Sequence, residues 1–169
     1  LGPILFQLPP RFAATEENIA RLESLEGVLP QSHPFVFEFR NSTWKREHIS
    51  DLFERTRWSV AVVHVCNKTA PWARQKKSWT KLDEGWTDLE LSGRVHYIRL
   101  HGTEGQYAGT YQGKLSGEEL IDRLLSLTRD GRSVYVAFNN TDSYELMHSG
   151  STLPSAIADA CAIEQIFNN

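Results

Sequence analysis

The stretch HPFVFEFRNSTW, from His33 to Trp44, contains a short apolar run that carries a glutamate and is followed by an arginine. Aromatic and β-branched residues in a run of this length predict a strand. Side chains alternate between the two faces of a strand, so Glu38 and Arg40 share one face. The opposite face carries Phe35, Phe37 and Phe39. Two charges in a core strand are costly unless they are paired, partly solvated or bound to a ligand.

Short apolar strands and amphipathic helices alternate along the rest of the chain. Strands are predicted over residues 3–8, 35–39, 59–65, 95–102 and 133–140, and helices over residues 15–29, 42–58, 116–130 and 154–167. The second helix is expected to begin with a cap at Ser42 or Thr43. Residues 67–94, rich in Trp and Lys, interrupt the alternation and are predicted to form a long loop or lid.

The alternation of strands and helices predicts an α/β fold. Parallel strands joined by right-handed crossovers bury one face of the sheet under the helices. An open doubly wound sheet and part of an eight-stranded barrel both fit this pattern. The chain has no interior linker and no short-period repeat, so residues 1–169 are predicted to form one domain.

Composition and charge exclude several classes of protein. Of 169 residues, 40% are hydrophobic and 23% are charged, which is typical of a globular domain. The net charge of −3 gives no overall attraction to nucleic acid or to anionic membranes. No apolar run approaches the roughly 20 residues that span a bilayer. We therefore expect a cytoplasmic protein with no membrane partner. Cys66 and Cys161 have no metal-binding or disulfide spacing and are expected to be buried.

Polar residues stand at the carboxyl end of every predicted strand. They are Gln7, Glu38, Arg40, His64, Arg99, His101, Asn139 and Asn140. In parallel α/β folds these ends converge on the ligand-binding side of the sheet. Two structural alternatives remain open, because Glu38 and Arg99 could form a buried ion pair and the two asparagines could cap the helix that follows.

The types of these residues suggest a chemistry. Arg40 and Arg99 together suit a phosphate or a carboxylate, since a guanidinium binds either group through two parallel hydrogen bonds. Glu38 and His101 are the candidate catalytic residues for proton transfer. Asn139 or Gln7 could orient a carbonyl or a hydroxyl group of the ligand. The sequence therefore predicts a small anionic ligand.

Other sites are less well supported. Glu38, His64 and His101 could hold a metal, but flanking arginines disfavour a divalent cation, so no metal is predicted. Phosphate-loop, dinucleotide, zincin and hydrolase-elbow motifs are absent from the sequence, and any cofactor is left open. The basic and aromatic segment from Trp72 to Lys81 could stack on single-stranded nucleic acid, but one such cluster in an acidic chain is weak evidence, so a nucleic-acid partner is not expected.

Four motifs carry a family resemblance. LGPILFQLPPRF, FEFRNSTW, YIRLHG and VYVAFNNT, in this order, resemble the YecE-like family, domain of unknown function 72. The resemblance implies a parallel (β/α) TIM-type barrel, incomplete at its N-terminus because the chain resembles the later part of the family. The matched positions are Gln7, Pro9, Glu38, Arg40, Trp44, Arg99, His101, Gly102, Asn139 and Asn140. Trp44 joins the ligand-binding candidates through this resemblance.

Two hypotheses for function follow. The first is an enzyme in which Arg40 and Arg99 hold an anionic substrate while Glu38 and His101 move protons. The second is a non-catalytic ligand-binding or protein-interaction module, with residues 67–94 as a contact surface. The oligomeric state is left open.

Overall fold

The computed structural model describes residues 2–64, 82–83, 86–87, 93–104, 107–111, 118–140, 143–145 and 152–167. These residues form four α-helices, one 3-10 turn and ten strands. The strands are β1 (Ile4–Gln7), β2 (Phe35–Glu38), β3 (Ser59–Val60), β4 (Val62–His64), β5 (Leu82–Asp83), β6 (Trp86–Thr87), β7 (Val95–Leu100), β8 (Ser133–Phe138), β9 (Ser143–Glu145) and β10 (Thr152–Pro154). The helices are α1 (Glu16–Ser24), α2 (Arg46–Thr56), α3 (Glu118–Thr128) and α4 (Ser155–Phe167). None of the described helices has the length and apolar character needed to cross a membrane.

The parallel strands lie in two sheets that share one segment of chain. One sheet has the order β1-β2-β3, and the other has the order β5-β6-β4-β7-β8, in which β4, β7 and β8 are parallel. The segment 59–64 serves both, because Ser59 and Val60 pair with β2 whereas residues 62–64 pair with β7. Between them, the N–H of Ala61 donates to the carbonyl of Phe37 at 2.9 Å. Strands β9 and β10 form a separate antiparallel pair.

The prediction of a TIM-type barrel, incomplete at its N-terminus, is wrong, although the α/β class is confirmed. The described strands form no closed barrel, and β1 and β8 are the outer strands of two different sheets. Alternating strands and helices predict parallel neighbours, but closure depends on a tilt and stagger common to all strands. Here the third predicted strand is divided at Ala61 between two sheets, which local sequence patterns do not reveal.

The helices cover one face of both sheets. In the first apolar cluster, Phe37 and Val60 pack with Leu22 of α1 and Phe53 of α2. In the second, β4 and β7 pack against α3 and α4 through Val62, Ile98, Leu100, Leu120, Leu124, Ala162 and Ile163. Burial of these apolar side chains supplies the main favourable term in folding.

The opposite face carries a smaller apolar group and the charged strand ends. Val36, Ala61 and Val95 are buried there, with Leu5 and Tyr97 packed against them. In each strand the residues at even spacing from these positions lie on the same face. The period-two prediction that separates Glu38 and Arg99 from the helix-covered face is therefore confirmed by the strand register.

Two details differ from expectation. Helix α2 begins at Arg46 with Lys45 as its N-cap, not at a Ser42 or Thr43 cap. The hydroxyl of Thr43 instead accepts from the N–H of Ala14 at 2.8 Å and donates to the side chain of Asn41 at 2.6 Å, so it fastens the segment that follows β1. Cys161 is exposed, not buried, whereas Cys66 lies outside the described residues.

Candidate anion site at the strand ends

The side chains of Gln7, Arg40 and Arg99 meet around the carboxylate of Glu38, at the ends of three strands. Glu38 is fully buried at the end of β2, and the register places Gln7 of β1 beside it. Arg40 Nε donates to Glu38 Oε1 at 2.6 Å. Arg99 Nη1 donates to Glu38 Oε2 and to Gln7 Oε1, the latter at 2.6 Å. The sequence predicted this association, since all four were candidates, and its structural alternative of a Glu38–Arg99 ion pair is also present.

The charges in this group do not cancel. Two guanidinium groups flank one carboxylate, so the cluster of Glu38, Arg40 and Arg99 carries one net positive charge. Arg99 is 9% exposed and Glu38 is 0% exposed, so both are largely removed from water. Electrostatic attraction is stronger at such a site than at the surface. Within the described contacts Arg99 donates only through Nη1, which leaves its Nε and Nη2 hydrogens for a further acceptor.

His101 lies two residues after Arg99, on the same face of the strand, and is fully buried. Burial is the largest cause that lowers the pKa of His101 to about 3, followed by the positive fields of Arg99, Arg40 and His64. The imidazole is therefore neutral at pH 7, because protonation would add a buried positive charge beside two arginines. In the neutral form one ring nitrogen is a donor and the other is an acceptor.

A tight loop folds back over His101. The N–H of Tyr107 donates to the carbonyl of His101 at 2.8 Å, and the two rings lie 5.3 Å apart. Gly102 has a φ of 105°, and a Cβ there would lie 2.0 Å from the carbonyl oxygen of Ala108. Only glycine fits both the conformation and the space. Tyr107 itself has a φ of 65°, which is uncommon for a residue other than glycine.

His64 lies on the other side of the sheet. Its register partner in β7 is Leu100, which belongs to the helix-covered face. A hydrogen bond of 2.6 Å joins His64 Nδ1 and the hydroxyl of Tyr111. That hydroxyl also accepts from the N–H of Gly102 at 3.1 Å. His64 thus lies on the helix-covered face of the sheet, opposite to the face of Glu38. From there its electrostatic effect lowers the pKa of His101. Its hydrogen bond to Tyr111 holds that residue, which in turn contacts Gly102.

The two asparagines after β8 face in different directions. Asn139 continues the face of Ala137, whose register partner is Arg99, so Asn139 lies on the same face as the arginine cluster. Asn140 is buried, and its Nδ2 donates to the carbonyl of Gly109 at 2.9 Å and to Asp159 Oδ2 at 2.7 Å. Its own carbonyl accepts from the N–H of Ala156 in α4. Asn140 therefore joins β8 to the last helix through its backbone carbonyl and through Asp159, which is not the side-chain cap that the structural alternative anticipated.

Sequence patterns did not point to Asp159 or Tyr111. Asp159 is fully buried and accepts from Thr110 Oγ1 at 2.5 Å and from the N–H of Tyr111 at 3.0 Å. Together with Asn140, this carboxylate fixes the end of the loop that covers His101. A single aspartate in the helical segment SAIADACAI gives no signal for this role, because its partners are 48 residues or more away on the loop.

Trp44 lies in the apolar cluster between β2 and the helices and not with the arginines. It is 1% exposed, its ring stacks on Phe12 at 5.6 Å, and its Nε1 donates to the carbonyl of Phe12 at 2.6 Å. These contacts give it a packing role. Its assignment as a ligand-binding residue stays a prediction.

The described part of the chain contains no cluster of potential metal ligands. No three side chains of His, Cys, Asp or Glu there lie close enough together to hold a metal ion. Glu38 and His64, two of the three ligands that were considered, lie on opposite faces of the sheets.

A family model described as protein of unknown function DUF72 matches residues 1–160. The chain belongs to the DUF72 family. The predicted resemblance is thus confirmed. A crystal structure of a DUF72 family protein from Thermotoga maritima is similar to this chain, with a TM-score of 0.68 and 21% sequence identity. The match covers 100% of this DUF72 chain and 58% of that protein. At this identity the likeness shows the fold alone. No curated protein sequence matches.

Proposed function

We propose that this DUF72 chain binds a small anion, bearing a phosphate or a carboxylate, at the carboxyl ends of β1, β2 and β7. The observation that carries the proposal is the ratio of charges, with two arginines around one buried glutamate. A net positive charge in a poorly solvated position is costly unless an anion offsets it. A ligand carboxylate or phosphate would add a second negative charge to this group of two arginines and one glutamate.

The site is also open to a ligand. The side chain of Arg40 is 19% exposed, and Gln7 at the edge of the first sheet is exposed. An incoming anion could reach Arg40 from solvent and the remaining hydrogens of Arg99 from the same side, since both arginines share the face of Glu38. A purely structural ion pair would need only one arginine for one carboxylate.

In the enzymatic form of this proposal, Glu38 and His101 would have different roles. Glu38 has both oxygens engaged by arginines, so its role would be to hold the two guanidinium groups in place. His101 is neutral and could exchange a proton with a bound substrate. An anion beside Arg40 and Arg99 would offset their field and raise the pKa of His101 toward its ordinary value. We therefore assign proton transfer to His101 in the enzymatic form of this proposal.

Binding without turnover is the alternative, and it uses the same arginines. Its additional contact surface, residues 67–94, falls mainly outside the described residues. A pH–rate profile would separate the two forms once a converted substrate is found, since only the enzyme requires a titrating group in the site.

Calorimetric titration with phosphate, sulfate and citrate tests the binding step. We expect Arg40→Ala to weaken binding of the preferred anion at least about tenfold, because one charge-assisted contact is lost. Arg21→Ala is the matched control, since Arg21 is an exposed helical arginine paired with Glu17. Equal affinities in wild type and Arg40→Ala, or no binding by wild type, would contradict the proposal.

A further inference from the structure

One buried acceptor beside the arginine cluster has no donor. Asn139 Oδ1 is buried and has no hydrogen-bond partner in the described part of the chain. Leaving such an oxygen unsatisfied costs about 1–3 kcal/mol, and most buried polar side-chain atoms in native proteins are paired. The chain thus keeps an acceptor at this position that its own donors do not use.

The strand register places Asn139 next to His101. The N–H of Asn139 donates to the carbonyl of Leu100 at 2.7 Å, and the preceding pair in the ladder aligns Ala137 with Arg99. Asn139 therefore lies across from His101 on the neighbouring strand, about 5 Å away in backbone spacing. Since side chains two apart share a face, its side chain stands on the face of Arg99 and Glu38.

None of the described donors nearby is hydrogen-bonded to Asn139 Oδ1. Arg99 Nη1 serves Glu38 and Gln7, and the side-chain nitrogen of Asn140 serves Gly109 and Asp159. A hydroxyl group of a ligand would supply the donor that this oxygen lacks among the described residues. The anionic group of that ligand cannot supply it at neutral pH, because an ionised carboxylate has acceptors only.

The aromatic ring of Tyr107 lies beside His101. Tyr107 is 36% exposed and its ring lies 5.3 Å from the ring of His101, held there at a φ of 65°. Residues in such uncommon conformations cluster at ligand sites, where the surrounding structure maintains them. A partly exposed aromatic face suits the C–H groups of a polyol or sugar, which are less polar than its hydroxyl groups.

We propose that the ligand of this site is a hydroxylated anion, such as a sugar phosphate or a sugar acid. Its charged group binds Arg40 and Arg99, and one of its hydroxyl groups donates to Asn139 Oδ1. This inference rests on the proposed function, which requires the anion alone. It adds the requirement for a hydroxyl donor within reach of the charged group.

Matched pairs of ligands test the hydroxyl requirement by calorimetry on the wild-type chain. One pair is glycerol 3-phosphate and propyl phosphate, and the other is glycerate and propanoate. The members of each pair share the charged group and differ in hydroxyl groups. We expect the hydroxylated member to bind about tenfold more tightly in at least one pair, because it satisfies the buried oxygen.

Two variants separate the roles of the anchoring groups. Asn139→Ala removes the acceptor, so it should abolish the discrimination within the pair. Arg40→Ala should weaken both members by a similar factor. Circular dichroism and a melting curve would establish that each variant is folded.

The outcomes distinguish this inference from the proposed function. If wild type binds no member of either pair, the proposed function fails and this inference fails with it. If both members of each pair bind equally, the hydroxyl requirement is wrong although the anion site stands. Discrimination that persists in folded Asn139→Ala would assign the acceptor to another group and overturn the inference. The ligand-pair comparison on wild type remains decisive even if the variant does not fold.

Discussion

Glu38 connects two distant parts of the chain. Its carboxylate joins Arg40, two residues away, to Arg99, 61 residues away. Period-two alternation predicted that Glu38 and Arg40 share a face, whereas the pair with Arg99 was one of the alternatives left open by the sequence and depends on the folded sheets. If an anion binds here as proposed, the same carboxylate would compete with it for the two guanidinium groups, so stability and binding would oppose each other at this position.

Glu38→Gln should therefore have two opposite effects. We expect it to lower the free energy of unfolding by about 3 kcal/mol, since it removes the carboxylate that pairs with the buried Arg99 and the partly exposed Arg40. Affinity for a small anion should rise, because the internal competitor is neutralised. Glu17→Gln is the control, as its exposed pair with Arg21 contributes less than about 1 kcal/mol. Urea denaturation and anion titration measure both effects, and weaker anion binding in Glu38→Gln would contradict the competition.

The pKa of His101 predicts a dependence of stability on pH. The folded pKa is about 3 and the ordinary value is 6.5, so the unfolded chain takes up a proton first as pH falls. The contribution of His101 is fully present above pH 6.5 and is lost progressively toward pH 3. Between pH 7 and pH 5 we expect wild type to lose about 1–2 kcal/mol more than His101→Gln, measured by urea unfolding.

The comparison with His101→Gln isolates this residue. The charged and titratable groups around it, Arg99, Arg40, His64 and Glu38, are the same in both proteins. An equal loss of stability in the two proteins would show that His101 is not the group that resists protonation.

Three glycines differ in what an added methyl group would meet. Gly27 has ordinary backbone geometry and open space, Gly131 has a φ of 77° with open space, and Gly102 combines a φ of 105° with a clash at 2.0 Å. Substitution by alanine should leave stability unchanged or slightly raised at Gly27, lower it by about 1 kcal/mol at Gly131 and lower it by more than about 3 kcal/mol at Gly102. Thermal melts of the three variants test this order.

Among the elements, the start of α2 and the segment after β1 form one unit. Thr43 and Asn41 bind the backbone near Ala14 and Pro10, and Trp44 binds Phe12. Thr43 and Asn41 are residue types that often cap helices. Their contacts with the segment after β1 explain why they precede α2 but do not cap it. Ser, Thr and Asn bind any nearby backbone group, so a sequence pattern cannot decide between a cap and a contact with a distant loop.

Trp44→Phe tests the packing role. It removes a buried hydrogen bond of 2.6 Å to Phe12 along with part of the ring, and we expect a loss of about 2–3 kcal/mol in the free energy of unfolding. Trp58→Phe is the control, since Trp58 is equally buried in the same cluster. The Trp44 variant should lose more stability than the control and keep its affinity for the anion. A drop in anion affinity without a loss of stability would instead support a ligand-binding role for Trp44.

At the scale of the whole molecule, the edge strand β8 is the feature with the clearest consequence. Its sequence SVYVAF has no charged residue, and it is the last strand of its sheet in the described residues. Neutral apolar edges promote pairing with other strands. We expect the protein to associate as its concentration rises, as measured by sedimentation velocity.

Tyr135→Lys should reduce that association, because an edge lysine would have to lose water on pairing. Leu125→Lys is the control, since Leu125 is 41% exposed on helix α3 and leaves the strand edge unchanged. A reduction of equal size in both variants would point to general solubility and not to the strand edge.

The chain order of the predicted strands and helices and the shared face of Glu38 and Arg40 followed from the sequence, because they depend on local periodicity and on prolines and glycines. The short strands β5, β6, β9 and β10 were not predicted, and β5 and β6 lie within residues 67–94, which were predicted to form a long loop or lid. Four short motifs carried the resemblance to the family. The structure alone decided that Glu38 joins both arginines, that His64 faces the helices, and that Asp159 supports the loop over His101. It also decided that the parallel strands divide at Ala61 into two sheets. Each of these depends on contacts between residues far apart in the chain, whose free energy is set by burial and pairing in the folded molecule and not by any local pattern.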